Sequence, residues 1–124
     1  MYKELADLPP DVIENILNSL KDKNRVRFAI AAPAVLKGLS RKERLKNLHV
    51  ADKYGDTPLH VAAKKGDVNV IKELLKGLLP VDRVKLLHRT KERKAYIHTD
   101  YDGCTPLRIA AHNGHSQVVR VLEE

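Results

Sequence analysis

Few residues of this 124-residue chain could carry out chemistry. Cys104 is the single cysteine, and its sequence neighbours provide no base to activate the thiol, which a nucleophile requires. His112 and His115 are close in sequence, but Gly114 interrupts the helix between them, and no cysteine or acidic residue completes a set of metal ligands. The sequence also has no glycine-rich phosphate loop. We therefore predict that the protein is not an enzyme and has no metal, no cofactor and no small-molecule substrate.

Basic residues are the most abundant charged groups, and they raise the question of nucleic-acid binding. The formal net charge is +7, and lysines and arginines gather in segments 21–27, 41–46 and 83–94. A basic stripe can bind phosphates by releasing counterions. However, these three segments contain no aromatic residue, Tyr96 lies just beyond the last of them, and no nucleic-acid-binding motif is present. We therefore rank nucleic-acid binding third among the possible functions. Binding to an acidic protein partner is a better explanation of the positive charge.

Two stretches of the chain repeat one pattern in the same register, and this repeat predicts the elements that position any site. Residues 52–66 (DKYGDTPLHVAAKKG) recur as residues 100–114 (DYDGCTPLRIAAHNG). Each Thr-Pro pair predicts a helix start, because the hydroxyl can cap the helix and proline needs no N–H at its first position. The final glycine of each stretch predicts a left-handed helix end. A repeated unit of this kind predicts a stacked fold.

The repeated pattern resembles the ankyrin repeat, D-x-x-G-x-T-P-L-H-x-A-A-x-x-G-H, at nearly every framework position. A second, outer helix follows each stretch, over residues 68–75 and 116–122, and the departures are Arg108 in place of histidine and Asp67 where the other stretch has His115. The resemblance implies an all-α solenoid that binds proteins, without catalysis, through its turn tips and inner helices. The partner-binding residues that it implies are Lys53, Tyr54, Asp56, Lys64, Lys65, Tyr101, Asp102, Cys104, His112 and Asn113.

The two stretches are spaced more widely than ankyrin repeats. Thr57 and Thr105 lie about 48 residues apart, whereas ankyrin repeats recur about every 33 residues. Segment 80–88 echoes segment 40–49, and each predicts a short extra helix. Alternation in residues 96–99 predicts a protruding hairpin finger. We therefore divide residues 49–124 into two repeats, 49–77 and 99–124, with the extra helix and the finger at 78–98.

Residues 1–48 form a different unit, for which we predict three helices. The string from Leu8 to Leu20 (LPPDVIENILNSL) resembles the opening of an F-box. That resemblance implies binding to a Skp-type adaptor of a cullin-based ubiquitin ligase, with the ankyrin repeats presenting the substrate. The alternative is a helical cap that shields the first repeat and recruits nothing. The adaptor-binding residues that the resemblance implies are Leu8, Pro9, Val12, Ile13, Ile16 and Leu17.

Together, the ankyrin and F-box resemblances predict a protein–protein interaction adaptor. The alternative is an ankyrin module without ligase recruitment. The pairing resembles F-box/ankyrin effectors of intracellular bacteria. One cysteine fits a reducing compartment, no apolar signal core follows Met1, and the longest apolar run, 28–36, is too short to span a bilayer. We therefore expect a cytoplasmic location, in the host cytoplasm for a secreted effector, and no membrane contact. Apolar residues at 118, 119, 121 and 122 predict a C-terminal flank that can self-associate.

Overall fold

Helices begin where the sequence supplies a proline or a capping side chain. The computed structural model describes residues 8–90 and 103–123, and five of its helices have proline at their first position, where the missing N–H costs nothing. No strand occurs within these two ranges. The helices are α1 (Pro10–Ser19), α2 (Asp22–Ala31), α3 (Pro33–Leu36), α4 (Arg41–His49), α5 (Pro58–Lys65), α6 (Val68–Leu75), α7 (Pro80–Leu87), α8 (Pro106–His112) and α9 (Ser116–Glu123).

The helices stack in parallel columns, as the resemblance predicted. Helices α2, α5 and α8 contact one another in sequence order and form what we call the inner column. Helices α3, α6 and α9 stack in the same order and form the outer column. The two extra helices that the sequence predicted are present as α4 and α7, which contact each other as a third column. The all-α solenoid is thus confirmed, whereas the predicted hairpin finger falls mainly on residues 91–102, outside the described ranges.

The count of two repeats is corrected by the N-terminal helices. Helices α2 and α3 pack on α5 and α6 in the way that α5 and α6 pack on α8 and α9, so they form a third stacked unit. The sequence gives little sign of it, because Lys21 provides no side-chain cap for α2 and the outer helix α3 has only four residues. With α1 and α4 added, four helices precede α5 where three were predicted.

The two recognised repeats begin with the predicted threonine caps. The Thr57 hydroxyl accepts a hydrogen bond from the His60 backbone N–H, and the His60 side chain accepts one from the Thr57 N–H. Thr105 likewise accepts from the Arg108 N–H. A capping box needs both halves, and the described residues show the returning bond only at α5, because the arginine of α8 stands where α5 has its histidine.

His60 also joins three segments at the base of the repeats. Its ring is fully buried, with Nδ1 2.7 Å from Thr57 Oγ1. Its Nε2 lies 2.9 Å from the Arg89 carbonyl and 3.2 Å from the Cys104 carbonyl, so Nε2 carries the proton and donates. Burial lowers the pKa of His60, which keeps the ring neutral. The imidazole therefore holds the turn of the last repeat against the inner column.

A second histidine contact closes the junction between the last two units. Gly66 ends α5 in the left-handed conformation, with φ of 75°. The His115 ring lies directly over it, and a Cβ at position 66 would be 2.6 Å from Nδ1 of that ring. Nε2 of His115 is 2.9 Å from the Lys64 carbonyl. The absence of a side chain at Gly66 thus lets one unit receive the imidazole of the next.

The third column is joined by a charged pair. The Arg41 guanidinium donates two hydrogen bonds of 2.8 Å to the Asp82 carboxylate, whose side chain is only 3% exposed. Hydrogen bonding to Arg41, followed by its positive charge, lowers the pKa of Asp82. A second ion pair, between Lys37 and Glu73, joins the end of α3 to α6. The first pair thus joins the two extra helices, and the second joins two helices of the outer column.

The apolar core runs through all units and includes the end of the chain. Ala62, Ala63 and Ala110 are fully buried, and their small side chains allow the inner helices to approach closely. The C-terminal flank that we predicted to self-associate lies mostly in this core. Three of its four apolar residues are buried there, namely Val118, Val121 and Leu122. The reason is helical periodicity, which turns them toward α6. Val119 is half-buried, so little apolar surface of that group remains for self-association.

Candidate functional site

A groove opens between α2, the turn that precedes α5, and α5 itself. Its volume is about 470 Å³, within the range of about 300–1,000 Å³ that is typical of ligand sites. We call it the inner groove. Its lining residues are Lys23, Val26, Arg27, Ile30, Ala31, Asp52, Lys53, Tyr54, Val61 and Lys65.

One face of α2 forms the first wall of the inner groove. Its five lining residues begin at Lys23 and recur at intervals of three and four positions, which places them on one side of a helix. Arg25 points another way, and its Nε donates to the carbonyls of Leu17 (2.9 Å) and Leu20 (3.1 Å). Because these bonds satisfy carbonyls at the end of α1, α1 holds α2 in place from behind.

The turn before α5 forms the second wall. Asp52 Oδ1 accepts hydrogen bonds from the N–H groups of Tyr54 (2.9 Å) and Asp56 (3.1 Å). An aspartate that bonds to its own following backbone in this way fixes a turn. The turn leaves the Tyr54 side chain at the rim, where it is 43% exposed. Nζ of Lys53 lies 5.1 Å from the centroid of that ring, within the range of a cation–π contact.

The rim of the inner groove is strongly cationic. Lys23, Arg27, Lys53 and Lys65 are all exposed. Within residues 8–90 and 103–123, none of the four forms an ion pair, and the ion pairs present there lie on other elements. Among the lining residues that the structure describes, Asp52 is the acidic one, and its Oδ1 already accepts two backbone hydrogen bonds. The described residues therefore leave most of the positive charge on this rim without an acidic partner.

The structure brings some of the implied partner-binding residues to this groove and leaves others elsewhere. Lys53, Tyr54 and Lys65 line it, whereas Asp56 is half-buried in the turn and Lys64 is exposed outside the lining. In the last unit, Cys104 is half-buried, and its carbonyl accepts from His60. His112 and Asn113 are exposed at the end of α8. Tyr101 and Asp102 lie outside the described residues.

The residues in and just before α1 that are implied as adaptor-binding divide into core and surface. Ile13 and Leu17 are buried in the core, at 2% and 1% exposed. Leu8, Pro9 and Ile16 are half-buried, and Val12 is 37% exposed. In this conformation, Val12 therefore presents the most accessible apolar surface of the group.

Sequence reasoning missed the contribution of α2. From the sequence, Lys23 and Arg27 belong to a basic segment, and Val26 and Ile30 belong to the second helix of an F-box-like unit or a cap, because the unit that contains them lacks the Thr-Pro start. Their helical spacing, with two cations beside two aliphatic residues, was the available signal. Recognising α2 as an inner helix would have added them to the implied partner-binding set.

Other kinds of site find little support in the described part of the chain. Across residues 8–90 and 103–123, no three histidine, cysteine or acidic residues come together in a way that could bind a metal ion. In the same ranges, no helix has both the length and the apolar character needed to cross a membrane.

Comparison with known sequences gives one family. A family model described as ankyrin repeats (3 copies) matches residues 13–124. That range includes α2 and α3, the third stacked unit. No solved structure matches the chain.

The curated relatives are much longer proteins. The chain is 32% identical over 118 residues to Protein phosphatase 1 regulatory subunit 12A of Mus musculus, which covers 90% of this chain and 10% of that protein. It is 36% identical over 85 residues to the Rattus norvegicus protein of the same name, covering 65% and 7%. It is 34% identical over 76 residues to Transient receptor potential cation channel subfamily A member 1 of Homo sapiens, covering 61% and 6%. The chain thus spans a tenth or less of the length of these relatives.

Proposed function

The chain belongs to the ankyrin-repeat family, and we propose that it is a non-catalytic protein-binding module whose partner lies in the inner groove. The observation that carries this proposal is the shared opening formed by α2, the turn at 52–56 and α5. Three elements from two stacked units contribute to this opening. The two units could contact each other without leaving a groove between them, so the fold alone does not account for it.

The side chains at the rim support binding rather than folding. Tyr54 is a large aromatic residue that remains 43% exposed at a turn tip. Tyrosine is among the residues that contribute most to binding energy at protein interfaces. By contrast, the ring of His60 makes polar contacts within the protein at both of its nitrogens, so we assign it to structure rather than to proton transfer.

An unbiased peptide selection tests this function. A displayed library of random peptides would be selected on the wild-type protein, and the bound peptides would be titrated against an Arg27→Ala/Tyr54→Ala variant. Lys72→Ala is the control, because Lys72 is exposed on α6 and does not line the inner groove. We expect binding to be lost only in the groove variant. Peptides that bind both variants as well as wild type would refute the proposal, with circular dichroism confirming that each variant is folded.

A second candidate function is ligase recruitment through α1, with the inner groove holding the protein that is presented. The F-box-like string from Leu8 to Leu20 and the exposed Val12 favour it. Because Ile13 and Leu17 are buried, we assign adaptor contact to Val12 with the half-buried Leu8, Pro9 and Ile16. Such an adaptor would act in the cytoplasm, or in the host cytoplasm for a secreted effector. The free thiol of Cys104 suits that reducing compartment.

Binding to a purified Skp-type adaptor tests this second function directly. Val12→Glu should abolish binding, because it places a charge in the apolar contact. Asn15→Glu is the matched control, since Asn15 is an exposed residue of the same helix. If the wild-type protein does not bind the adaptor at micromolar concentration, ligase recruitment is refuted, and the first function, a binding module alone, stands.

A further inference from the structure

The composition of the inner groove specifies a kind of partner. We propose that it binds an acidic linear peptide segment, with one aliphatic side chain entering the groove and carboxylates on either side of it contacting the rim. This inference rests on the proposed function and adds the chemistry of the ligand.

The floor of the groove is aliphatic. Val26 of α2 is buried, while Ile30 and Val61 are half-buried between α2 and α5. Ile30 and Val61 keep part of their surface exposed where they line the groove. An aliphatic side chain from a partner would remove that remaining apolar surface from water.

The rim provides the charge for an acidic ligand. Four cations surround the floor, and Asp52, the one acidic residue in the described part of the lining, is partly engaged by its own turn. Lys23 is the second residue of α2, a position where the helix dipole disfavours a positive charge. A ligand carboxylate beside Lys23 would offset this unfavourable interaction. Charge complementarity of this kind sets both the association rate and the choice of partner.

The apolar floor favours a peptide over a nucleic acid as the ligand. Phosphate and sugar would meet the four cations but would leave Ile30 and Val61 facing polar groups. Binding of single-stranded nucleic acid usually combines a basic track with several stacking rings, and among the described lining residues Tyr54 alone is aromatic. A peptide supplies carboxylates and an aliphatic side chain from a single chain.

Three labelled synthetic peptides test the chemistry by fluorescence anisotropy. The first is a short run of glutamates and aspartates around a central leucine, the second replaces that leucine with serine, and the third keeps the leucine but has lysines in place of the acidic residues. We expect the first to bind, the second to bind about tenfold more weakly, as removal of one buried aliphatic side chain predicts, and the third not to bind. Equal binding of the first two, or displacement of the first by a mixed-sequence oligonucleotide at equal charge concentration, would show a non-selective anion surface and overturn the inference.

A matched pair of protein variants places the peptide in the groove. Lys23→Glu should weaken binding of the acidic leucine peptide about tenfold, because an attraction becomes a repulsion. Lys42→Glu should leave it unchanged: Lys42 is also exposed, is also the second residue of its helix and lies outside the groove. Both changes alter the net charge equally, and both favour the helix dipole, so unfolding does not explain a difference.

The outcomes separate this inference from the function on which it rests. If the library yields groove-dependent peptides that are not acidic, the binding function stands and the ligand chemistry is wrong. If the acidic leucine peptide binds neither variant nor wild type, or binds both variants equally, the inference is also wrong. If no selected peptide depends on the groove, both fail.

Discussion

Replacing Gly66 with alanine tests whether the imidazole of one unit seats on the backbone of the unit before it. The new Cβ would lie 2.6 Å from Nδ1 of His115 and 2.8 Å from Cγ and Cε1 of the ring, whereas carbon atoms in good contact are about 3.5–4.0 Å apart. The ring would have to move by roughly 1 Å to reach that separation. Such a shift breaks the 2.9 Å hydrogen bond from His115 to the Lys64 carbonyl.

The expected cost has two parts. A left-handed backbone at a residue other than glycine costs about 1–2 kcal/mol, and the lost hydrogen bond adds about 0.5–1.5 kcal/mol. We therefore expect Gly66→Ala to lower the free energy of unfolding by about 1.5–3.5 kcal/mol. Gly114→Ala is the matched control, because Gly114 has a φ of 73° and nothing within 4 Å of the position of its Cβ. It should incur only the backbone part, about 1–2 kcal/mol.

Urea unfolding followed by circular dichroism measures both variants, together with His115→Ala and the double variant Gly66→Ala/His115→Ala. Without the ring, alanine at position 66 meets no clash, so the cycle should give a coupling of about 1 kcal/mol between the two positions. In thermal unfolding, 1 kcal/mol corresponds to a shift of about 4 °C in Tm for a chain of this length. Equal losses for Gly66→Ala and Gly114→Ala, or a coupling near zero, would refute the idea that the ring is seated on Gly66.

Three further predictions concern the other polar contacts. Thr57→Ala should destabilise by about 1–2 kcal/mol and Thr105→Ala by about 1 kcal/mol or less in urea unfolding, because only the first is part of a reciprocal cap; equal losses would contradict this. The lowered pKa of His60 means that, as the pH falls below about 6.5, the unfolded chain binds a proton before the folded one does, so stability present above that pH is lost as the pH falls through the folded pKa. His60→Gln should reduce this acid-side loss in urea titrations at a series of pH values, and an unchanged pH profile would contradict it. Arg41→Ala should lower the urea midpoint at neutral pH, because it leaves the buried carboxylate of Asp82 without its two hydrogen bonds; an unchanged midpoint would contradict this.

The frame of the two recognised repeats could be predicted from sequence because each framework residue has a single local task. Thr57 caps α5, proline starts it and Gly66 ends it, and these tasks depend on neighbours within one turn of helix. The same logic placed α4 and α7, since Ser40 and Pro80 start helices in almost any surroundings. Local rules of this kind apply before tertiary contacts are known.

The third unit could not be predicted in that way, because its tertiary contacts outweigh weak local signals. Helix α2 has no side-chain cap and no threonine–proline start, yet its position against α5 buries Val26 and Ala29. Helix α3 is a single short turn that is placed by contact with α6 and by the pair between Lys37 and Glu73. Where stacking rather than propensity determines a helix, the sequence pattern is faint.

The ligand chemistry is the hardest part to read from the sequence, and the reason lies in what the groove residues do not do. Lys23, Arg27, Lys53 and Tyr54 are exposed and contribute little to the core. Residues that do not stabilise the fold leave no periodic or capping pattern in the sequence. From sequence alone, Lys23 and Arg27 therefore resemble part of a solvated basic segment. Only the stacking of α2 on α5 beside the turn at 52–56 shows that the two cations share one opening with an aliphatic floor. The cations that fold formation leaves unpaired are therefore the ones with which a partner's carboxylates can pair.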